Sequence, residues 1–551
     1  MDASKSPSRR RFIVVALITS AFLFLTAIQL GLGPLQRFNS DGKYDDNSLE
    51  SHSLPPSSET KPDVGSSQDE EPLQLEGNKE HDPFLTMFPE RPAADQERFL
   101  AYLPHSGFHN QRMSLETALR LAVYLNRTLL LPPLYMCEKA LNIPWGPTPG
   151  LLEKWKIRTR EGVEYCKDYN MTGRPHPTPN ELRSALENPH VDRDLGCVAY
   201  HSWTTVPWTY FFDLPKVLVD VVHFPDANQT VPIRVFDRPN MTIPWLAERL
   251  GITDIEKEIY WIEDSARADY RILDDSEYDY RLYPESPGRY QRTILLSDLL
   301  ERQEKVIHFG SLFYPDRVEA RSSAHIALAS YIANALDIWN QGILDATKIA
   351  EAQIRTWINE TNRAASGFLG AHLRTADGKF VQMTNSSLWR IVEWIRNVAG
   401  QDKQHSDDPI LLARSGPTKR QEDVPTFLDR CTGQPAGSPL VYLATDVHHP
   451  RSSPILSDFF DEFPCAMILS DFPESVNELD HIYNTVDNVH MLPYMIALMD
   501  ANMAAKGRDF YGTENSTFSA YIAGHLWPRY HPGQSISYNP LPWVEEPEIV
   551  S

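Results

Sequence analysis

The sequence predicts an α/β protein with two facing, Rossmann-like doubly wound domains, preceded by a single transmembrane helix and a disordered stem. Three observations predict this. Apolar, strand-like runs alternate with amphipathic helical patterns in two separate parts of the chain, which is typical of parallel sheets covered by helices. The chain of 551 residues is too long for one compact domain. A charge-free apolar run and an acidic stretch precede the first predicted strand.

The N-terminus predicts a membrane anchor of type II topology. Residues 1–11 form a basic tail that we expect to stay in the cytosol. Residues 12–33 carry no charge and, at 1.5 Å per residue, extend over about 33 Å, which is enough to cross a bilayer. A long cleaved signal peptide is the alternative. Both interpretations place the rest of the chain in the secretory pathway, and the anchor favours the Golgi membrane over the endoplasmic reticulum.

Residues 34–83 predict a disordered stem. From Phe38 to Pro83 the chain holds twelve acidic and three basic residues, with clusters of Ser and Pro and almost no large apolar side chain. Such a segment cannot bury enough apolar surface to fold. The predicted folded part is therefore an N-terminal domain at 84–320 and a C-terminal domain at 321–551. By analogy, anchor, stem and large lumenal part are the layout of Golgi carbohydrate enzymes.

The composition excludes several classes of protein. A net charge of −22 argues against a nucleic-acid-binding protein, which needs a basic surface. Five cysteines are too few for a disulfide-rich scaffold. In an oxidising compartment, proximity along the chain pairs Cys137 with Cys166 and Cys431 with Cys465, leaving Cys197 over, although the sequence leaves the connectivity open. Asn-X-Ser/Thr sequons, which are individually weak signals, begin at Asn126, Asn170, Asn228, Asn240, Asn359, Asn385 and Asn515.

The first domain begins with a predicted βαβ unit. An apolar strand at 98–104 is followed by a polar loop and by a helix that we expect to begin near Ser114, a good N-cap residue, with Glu116 in its first turn. A second buried strand follows at 128–133, and a further one at 305–309. This order predicts a parallel sheet.

The second domain repeats the pattern. A helical region at about 322–358 connects the two domains, and strands are predicted at 367–374, 439–446, 466–469 and 509–513. Helices are predicted at 491–506 and 516–525. In open α/β sheets, ligands bind beyond the carboxyl ends of the strands. The polar, turn-rich sequences at those ends are therefore the candidate binding residues.

The first candidate site follows the strand at 98–104. Gly107 allows the backbone to approach a ligand closely, and Phe108 follows it. Asn110 and Gln111 offer both donors and acceptors to sugar hydroxyls. The alternative is an ordinary βα loop.

The second candidate site follows the strand at 367–374. Alternation along this strand sends His372 and Arg374 to one face. Arginine is a natural ligand for a diphosphate because its hydrogen bonds are charge-assisted and often bidentate. Asp377 is placed to orient Arg374, and Asp446 ends the neighbouring strand. The alternative is a surface ion pair.

The third candidate site lies where the strand at 509–513 runs into a helix. With Ser516 as N-cap, the free N–H groups of the helix and the hydroxyls of Ser516 and Thr517 form a phosphate seat, and Phe518 packs on a base or in the core. The alternative is plain N-capping. Because a glycan on Asn515 would obstruct this seat, we expect that sequon to be unmodified.

The remaining motifs are weak. The triplet 192–194 (Asp-Arg-Asp) has the spacing of a metal site for nucleotide sugars, but no apolar strand precedes it, so a solvated loop is the better interpretation. The pair His448-His449 lacks partners at metal-ligand spacing. We expect no metal and no cofactor.

Together these motifs resemble the GDP-fucose protein O-fucosyltransferase family, specifically a fungal O-fucosyltransferase-like member. The segment 104–133 is similar to the family's first motif, in which a Gly-Phe-x-Asn-Gln turn, a helix and an Asn-Arg-Thr-Leu-x-x-Pro-Pro strand follow one another. Segments 371–374 and 441–446 resemble its His-Leu-Arg and Ala-Thr-Asp strands. Asp500 and, sixteen positions on, Ser516-Thr517-Phe518 match the spacing of its last motif.

The resemblance implies a GT-B fold and an inverting, metal-independent transfer of fucose from GDP-fucose to a protein Ser/Thr or a glycan. It implies that Arg374 neutralises the leaving diphosphate and that His372 and Asp500 hold the guanine and ribose. Ser516, Thr517 and Phe518 would then bind the phosphates and base, with Asn110 near the reacting bond. The general base stays open. His105 stands where some family members have Glu, and a His accepts a proton near neutral pH.

Two other classes compete with a fucosyltransferase. One is a non-catalytic nucleotide-sugar- or carbohydrate-binding protein that retains the fold. The other is a hydrolase of the same lumen, which needs two opposed carboxylates that no motif supplies.

Overall fold

The structure is a computed structural model that describes most of the chain after residue 95. The described residues are 96–104, 107–137, 166, 197, 200–201, 203–214, 222–224, 229–231, 233–264, 269–273, 290–314, 317–319, 323–361, 367–376, 378–399, 426–435 and 437–537. The predicted tail (1–11), anchor (12–33) and stem (34–83) lie outside them, as do His105 and Asp377. Within this part of the chain, no helix combines the length and the apolar character that crossing a bilayer requires.

The described part is a mixed α/β structure. Its strands are β1 (Phe99–Tyr102), β2 (Thr128–Leu131), β3 (Leu134–Cys137), β4 (Trp203–Val206), β5 (Val222–Phe224), β6 (Gln229–Val231), β7 (Val235–Asp237), β8 (Ile259–Ile262), β9 (Tyr270–Leu273), β10 (Arg292–Leu295), β11 (Val306–Phe309), β12 (Val318–Glu319), β13 (Leu369–Leu373), β14 (Val441–Thr445), β15 (Ala466–Met467) and β16 (Phe510–Gly512).

Its α-helices are α1 (Phe108–Tyr124), α2 (Ile243–Leu250), α3 (Ile255–Glu258), α4 (Leu296–Leu300), α5 (Ser323–Ala335), α6 (Gln341–Glu360), α7 (Gly378–Val398), α8 (Phe427–Cys431), α9 (Ser457–Glu462), α10 (Pro473–Asp480), α11 (Leu492–Ala505), α12 (Thr517–Tyr521) and α13 (Trp527–Tyr530). A π-helical turn (Ile522–Leu526) joins α12 to α13. Short 3₁₀ turns occur at Trp208–Tyr210, Pro450–Ser452, Pro454–Leu456 and Leu469–Asp471.

The predicted parallel sheet of the first half is present. Five strands pair in the order β7-β2-β1-β11-β8, all of them parallel. The three strands predicted at 98–104, 128–133 and 305–309 are β1, β2 and β11. A smaller parallel sheet (β10-β9-β12) and two antiparallel pairs (β3-β4 and β5-β6) accompany it.

The predicted parallel sheet of the second half is also present. Four parallel strands pair in the order β15-β14-β13-β16. Alternate residues of its strands join two different cores: Leu369, Ala371 and Leu373 pack in one, whereas Tyr442 and Ala444 pack in the other. Both faces are therefore covered, as continuous apolar strands predict.

Three helix predictions need correction. The first helix begins at Phe108 rather than near Ser114, because Gly107 is its N-cap and the Ser114 hydroxyl donates to the Asn110 carbonyl inside the helix. Glu116 is consequently not in the first turn. The helical region at 322–358 is two helices, α5 and α6, and the Asn340 side chain caps α6 by accepting from the Ile343 N–H.

One of the two suggested disulfides is confirmed and one is wrong. Cys431 bonds Cys465, as expected. Cys166 bonds Cys197 rather than Cys137. Cys137 ends β3, where its backbone pairs with Trp203 of β4, so the partner of Cys166 is set by the tertiary path of the chain and not by distance along it.

Candidate functional site

The order of strands in the second sheet reverses between β13 and β16. At such a switch point the connections leave the sheet in opposite directions and open a crevice at its carboxyl end. The two segments that leave there contact each other. The backbone N–H of Arg374 donates to the Thr513 hydroxyl over 2.9 Å, and the backbone N–H of Thr513 donates to the His372 carbonyl. His372 Nδ1 lies 2.7 Å from Ser519 Oγ. The second and third predicted sites are therefore one site.

His372 is a neutral side chain in this site. Its ring is buried and lies 4.5 Å from the Phe518 ring. Burial, assisted by the positive charge of Arg374, lowers the pKa of His372 to about 3. At neutral pH it therefore acts as a hydrogen-bonding group and not as a cation.

Arg374 supplies positive charge at the end of β13. Its guanidinium lies 4.7 Å from the centroid of the Phe380 ring, at the start of α7. The side chain is half-buried. Asp377, predicted to orient it, lies outside the described residues.

Asp446 holds the loop that follows Arg374. Its carboxylate accepts from the N–H groups of Thr375 and Ala376 and from the Thr375 hydroxyl. These bonds fix the direction in which the chain leaves β13. The predicted contact of Asp446 with a substrate stays a prediction.

The helical segment after β16 begins as predicted. The hydroxyl of Ser516 accepts from the Ser519 N–H, so Ser516 is the N-cap, and it is buried. Thr517 and Phe518 are half-buried. A Cβ on Gly512 would lie 2.5 Å from Ser519 Cβ, so the glycine allows this helical segment to pack directly on β16.

The first turn of α1 reaches the same site from the first sheet. Among the described residues, no side chain caps this helix at Gly107. Phe108 packs on Phe211 and Phe212, and Asn110 is half-buried. Gln111, which the sequence offered to a sugar, instead makes two hydrogen bonds with the backbone of Tyr135.

His109 is the first functional candidate that the motifs missed. Its ring lies 5.2 Å from the Phe518 ring and 4.6 Å from the Tyr521 ring, so it joins α1 to the segment after β16. It is buried, and Nδ1 has no hydrogen-bond partner among the described residues. Burial, followed by the charge of Arg112, lowers the pKa of His109, which keeps the ring neutral.

Arg112 forms a second contact between α1 and the segment after β16. Its guanidinium contacts Glu116 one turn further along α1, lies 3.2 Å from His525 Nε2 and stacks 4.5 Å above the Tyr521 ring. Burial lowers the pKa of His525 to about 4. The π-helical turn carries His525, and such turns often occur at functional sites. The helical spacing of Arg112 with Glu116, and of Tyr521 with His525, was the available signal in the sequence.

Asp500 lies on α11, beneath the end of β14. It accepts a 2.6 Å hydrogen bond from the Tyr442 hydroxyl. Burial raises its pKa from the ordinary 3.8 to about 7, because removing a carboxylate from water disfavours its charged form. Near neutral pH this residue is thus divided between its neutral and ionised forms.

The raised pKa predicts how stability depends on pH. Between about pH 4 and 7, folded Asp500 holds a proton that the unfolded chain has released, so the free energy of unfolding falls as the pH rises, by about 1.4 kcal/mol per pH unit. Asp500→Asn removes this dependence while its amide oxygen still accepts from Tyr442. Denaturant unfolding from pH 5 to 8 checks it. If the free energy of unfolding changed with pH in the same way for both proteins, Asp500 would not titrate in this range.

Comparisons with known proteins give a weak structural likeness. A scan against protein-family models finds no match. A search of curated proteins finds no match either. Among solved structures, the chain is similar to POFUT1 in complex with GDP-fucose (TM-score 0.28, 13% identity, covering 81% of this chain and 98% of that one). It is also similar to the POFUT1 apo-form, with a TM-score of 0.30 and 13% identity over 81% of this chain and 99% of that one. For POFUT1 in complex with GDP, the TM-score is 0.31 and the identity 14%, over 81% of this chain and 98% of that one.

Proposed function

We propose that this protein is a glycosyltransferase with a GT-B type of fold that transfers fucose from GDP-fucose to a hydroxyl of a protein or a glycan. One observation carries the proposal. Motifs that resemble the O-fucosyltransferase family, and lie far apart in sequence, meet at the ends of two parallel sheets through the Arg374–Thr513 hydrogen bond and the His109–Phe518 ring contact.

Arg374 is the proposed anchor of the diphosphate. Cleavage of the sugar–phosphate bond places additional negative charge on the leaving diphosphate, and a fixed guanidinium stabilises that transition state more than the ground state. The hydroxyls of Ser516 and Thr517, at the start of a helical segment, add donors and the positive end of the helix dipole.

The neutral histidine and the aromatic ring are proposed to bind the nucleoside. His372 lies against Phe518 and two positions before Arg374, so a base and its phosphates would contact neighbouring groups. Asp500 is proposed to bind the guanine or ribose side. Nothing in this scheme uses a metal, and the proposed transfer inverts the configuration at the fucose carbon.

Residues that follow the first sheet are proposed to bind the acceptor. The uncapped first turn of α1, with Gly107, Phe108 and Asn110, would lie beside the fucose. His105 remains the proposed general base. We also retain a single-pass anchor in the Golgi membrane or endoplasmic reticulum as part of the proposal.

A non-catalytic nucleotide-sugar-binding protein is the second candidate. Glu116, the carboxylate closest in sequence to the predicted turn, forms an ion pair with Arg112. The pKa values of His109 and His372 are lowered so far that neither side chain is an effective base near neutral pH. This arrangement favours binding without transfer, unless His105 accepts the proton.

Binding of GDP is the first test. At a concentration 100 times its Kd, GDP is expected to raise the free energy of unfolding by about 2.7 kcal/mol. UDP should raise it much less, because the resemblance to the O-fucosyltransferase family implies a site that recognises guanine. Thermal unfolding of the full chain with each nucleotide measures both. Equal shifts with GDP and UDP, or no shift, would contradict the proposal.

Assays with GDP-fucose then distinguish transfer from binding. Transfer of fucose to a hydroxyl acceptor is expected to exceed hydrolysis. Stabilisation by GDP without transfer or hydrolysis of GDP-fucose would support the non-catalytic binding protein. Hydrolysis without transfer would indicate a hydrolase.

A further inference from the structure

A cavity of about 660 Å³ lies beside β15, the edge strand of the second sheet. Its volume lies in the range of pockets for small organic molecules. Five segments from α6 to the start of α10 form its wall. The side chains that matter here are Gln353, Trp357, Phe427, Arg451, Ser470 and Asp471.

Arg451 and Asp471 line the cavity, and Arg430, which lies behind this wall, also pairs with Asp471, so the cluster of three side chains carries a net positive charge. Arg430 and Arg451 share the carboxylate of Asp471, at 3.3 Å and 2.6 Å. Their side chains are only 12% and 8% exposed. Asp429, near Arg430, offsets part of the excess charge, but it is exposed at the first turn of α8, where its carboxylate accepts from Thr426.

Several donors of these arginines have no hydrogen-bond partner in the part of the chain that the structure describes. The Nε and Nη1 groups of both Arg430 and Arg451 are buried without a hydrogen bond among the described residues. The Nη2 group of Arg451 donates to the Asp471 carboxylate and to the Ala466 carbonyl. Buried charge that is not fully paired is costly, and the low local dielectric strengthens its attraction for an anion that enters the cavity.

The cavity also presents an acceptor and an aromatic wall. Gln353 donates weakly to the Asp471 carbonyl, at 3.5 Å, and its Oε1 is buried without a partner. Trp357 and Phe427 stack with ring centroids 4.3 Å apart. A ligand that fits would therefore combine an anionic group with a hydroxyl and a ring that packs on these side chains.

The disulfide Cys431–Cys465 braces this wall. Cys431 follows Arg430 directly, and Cys465 precedes Ala466, whose carbonyl binds Arg451. The two arginines are thus held in place by a covalent link, and such preorganisation lowers the entropic cost of binding.

We propose that this cavity binds a hydroxylated ring that carries an oxyanion, such as a sugar acid or a sugar phosphate. The site is separate from Arg374 and the residues after β16, and the proposal does not depend on the proposed transfer reaction. Carboxylate and phosphate share the chemistry that Arg451 recognises, so the probes distinguish them.

Calorimetric titration of the full chain with glucuronate, glucose 6-phosphate and glucose tests the proposal, at constant ionic strength. At least one of the two anions should bind, and glucose should not. Arg451→Gln should weaken binding at least about tenfold, the scale of one charge-assisted hydrogen bond. Ser470→Trp, at an exposed position of the wall, should block the cavity without removing a buried charge. Arg355→Gln, on the outer surface of α6, is the matched control and should bind normally.

Arg374→Ala separates this site from the proposed nucleotide site. Binding of the anion that persists in Arg374→Ala but is lost in Ser470→Trp supports the cavity, whatever the outcome with GDP. Absence of binding in the unmodified protein would overturn the inference. So would binding that Arg374→Ala removes and that Arg451→Gln and Ser470→Trp leave unchanged.

Discussion

Replacing Arg374 with alanine is expected to lower the turnover of GDP-fucose by at least about 100-fold, which is the effect of losing one preorganised donor to a developing negative charge. Arg374 directly follows β13. Its backbone N–H donates to the Thr513 hydroxyl, and Asp446 holds the loop after it. The backbone from which the guanidinium extends is thus fixed before substrate binds. Initial-rate measurements of kcat and kcat/KM check the prediction.

Arg374→Lys should not restore activity, because an ammonium lacks the planar fork that binds a diphosphate through two parallel hydrogen bonds. Arg355→Ala is the control, since that side chain is 69% exposed on α6 and its loss should leave turnover unchanged. Arg374 is itself only half-buried, so Arg374→Ala should unfold as the unmodified protein does. Normal transfer by either Arg374 variant would refute its proposed role.

Gly370→Ala is expected to prevent stable folding. Gly370 is the second residue of β13, where α11 crosses the strand at very short range. A Cβ there would lie 1.9 Å from the carbonyl oxygen of Ala504 and 2.9 Å from its carbonyl carbon. Both are backbone atoms, so no side chain can rotate away, and the helix must move off the sheet. The expected loss exceeds about 4 kcal/mol, which is exceptional for a single substitution.

Gly437→Ala is the matched control for this prediction. Gly437 is exposed, and a Cβ there meets nothing within 4 Å. The same change of one methyl group should leave the free energy of unfolding nearly unaffected or raise it slightly by restricting the unfolded chain. Denaturant unfolding of both variants, followed by circular dichroism, measures the difference. A cooperative transition of Gly370→Ala at the unmodified midpoint would show that α11 does not pack on β13 as described.

Local pattern in the sequence was enough to predict the secondary structure that carries the site. Alternating or continuous apolar runs predicted β1, β2, β11 and the four strands of the second sheet, because strand burial depends on residues two apart. Ser516 was recognisable as an N-cap because capping depends on residues three apart. The start of α1 was misjudged, since Gly107 caps it with backbone geometry alone and leaves no side-chain signature.

The sequence by itself determined which residues end the parallel strands, and with them the placement of His372, Arg374 and the Ser516 segment. Only the tertiary structure decided which of these ends meet, because contact between residues over a hundred positions apart depends on the order of strands in the sheets. That order places Thr513 under Arg374, His109 against Phe518 and Arg112 beside His525. The tertiary structure also decided that Gln111 forms hydrogen bonds with the backbone of Tyr135 and that Cys166 forms a disulfide with Cys197. Both pairings depend on distance in space and not on distance along the chain.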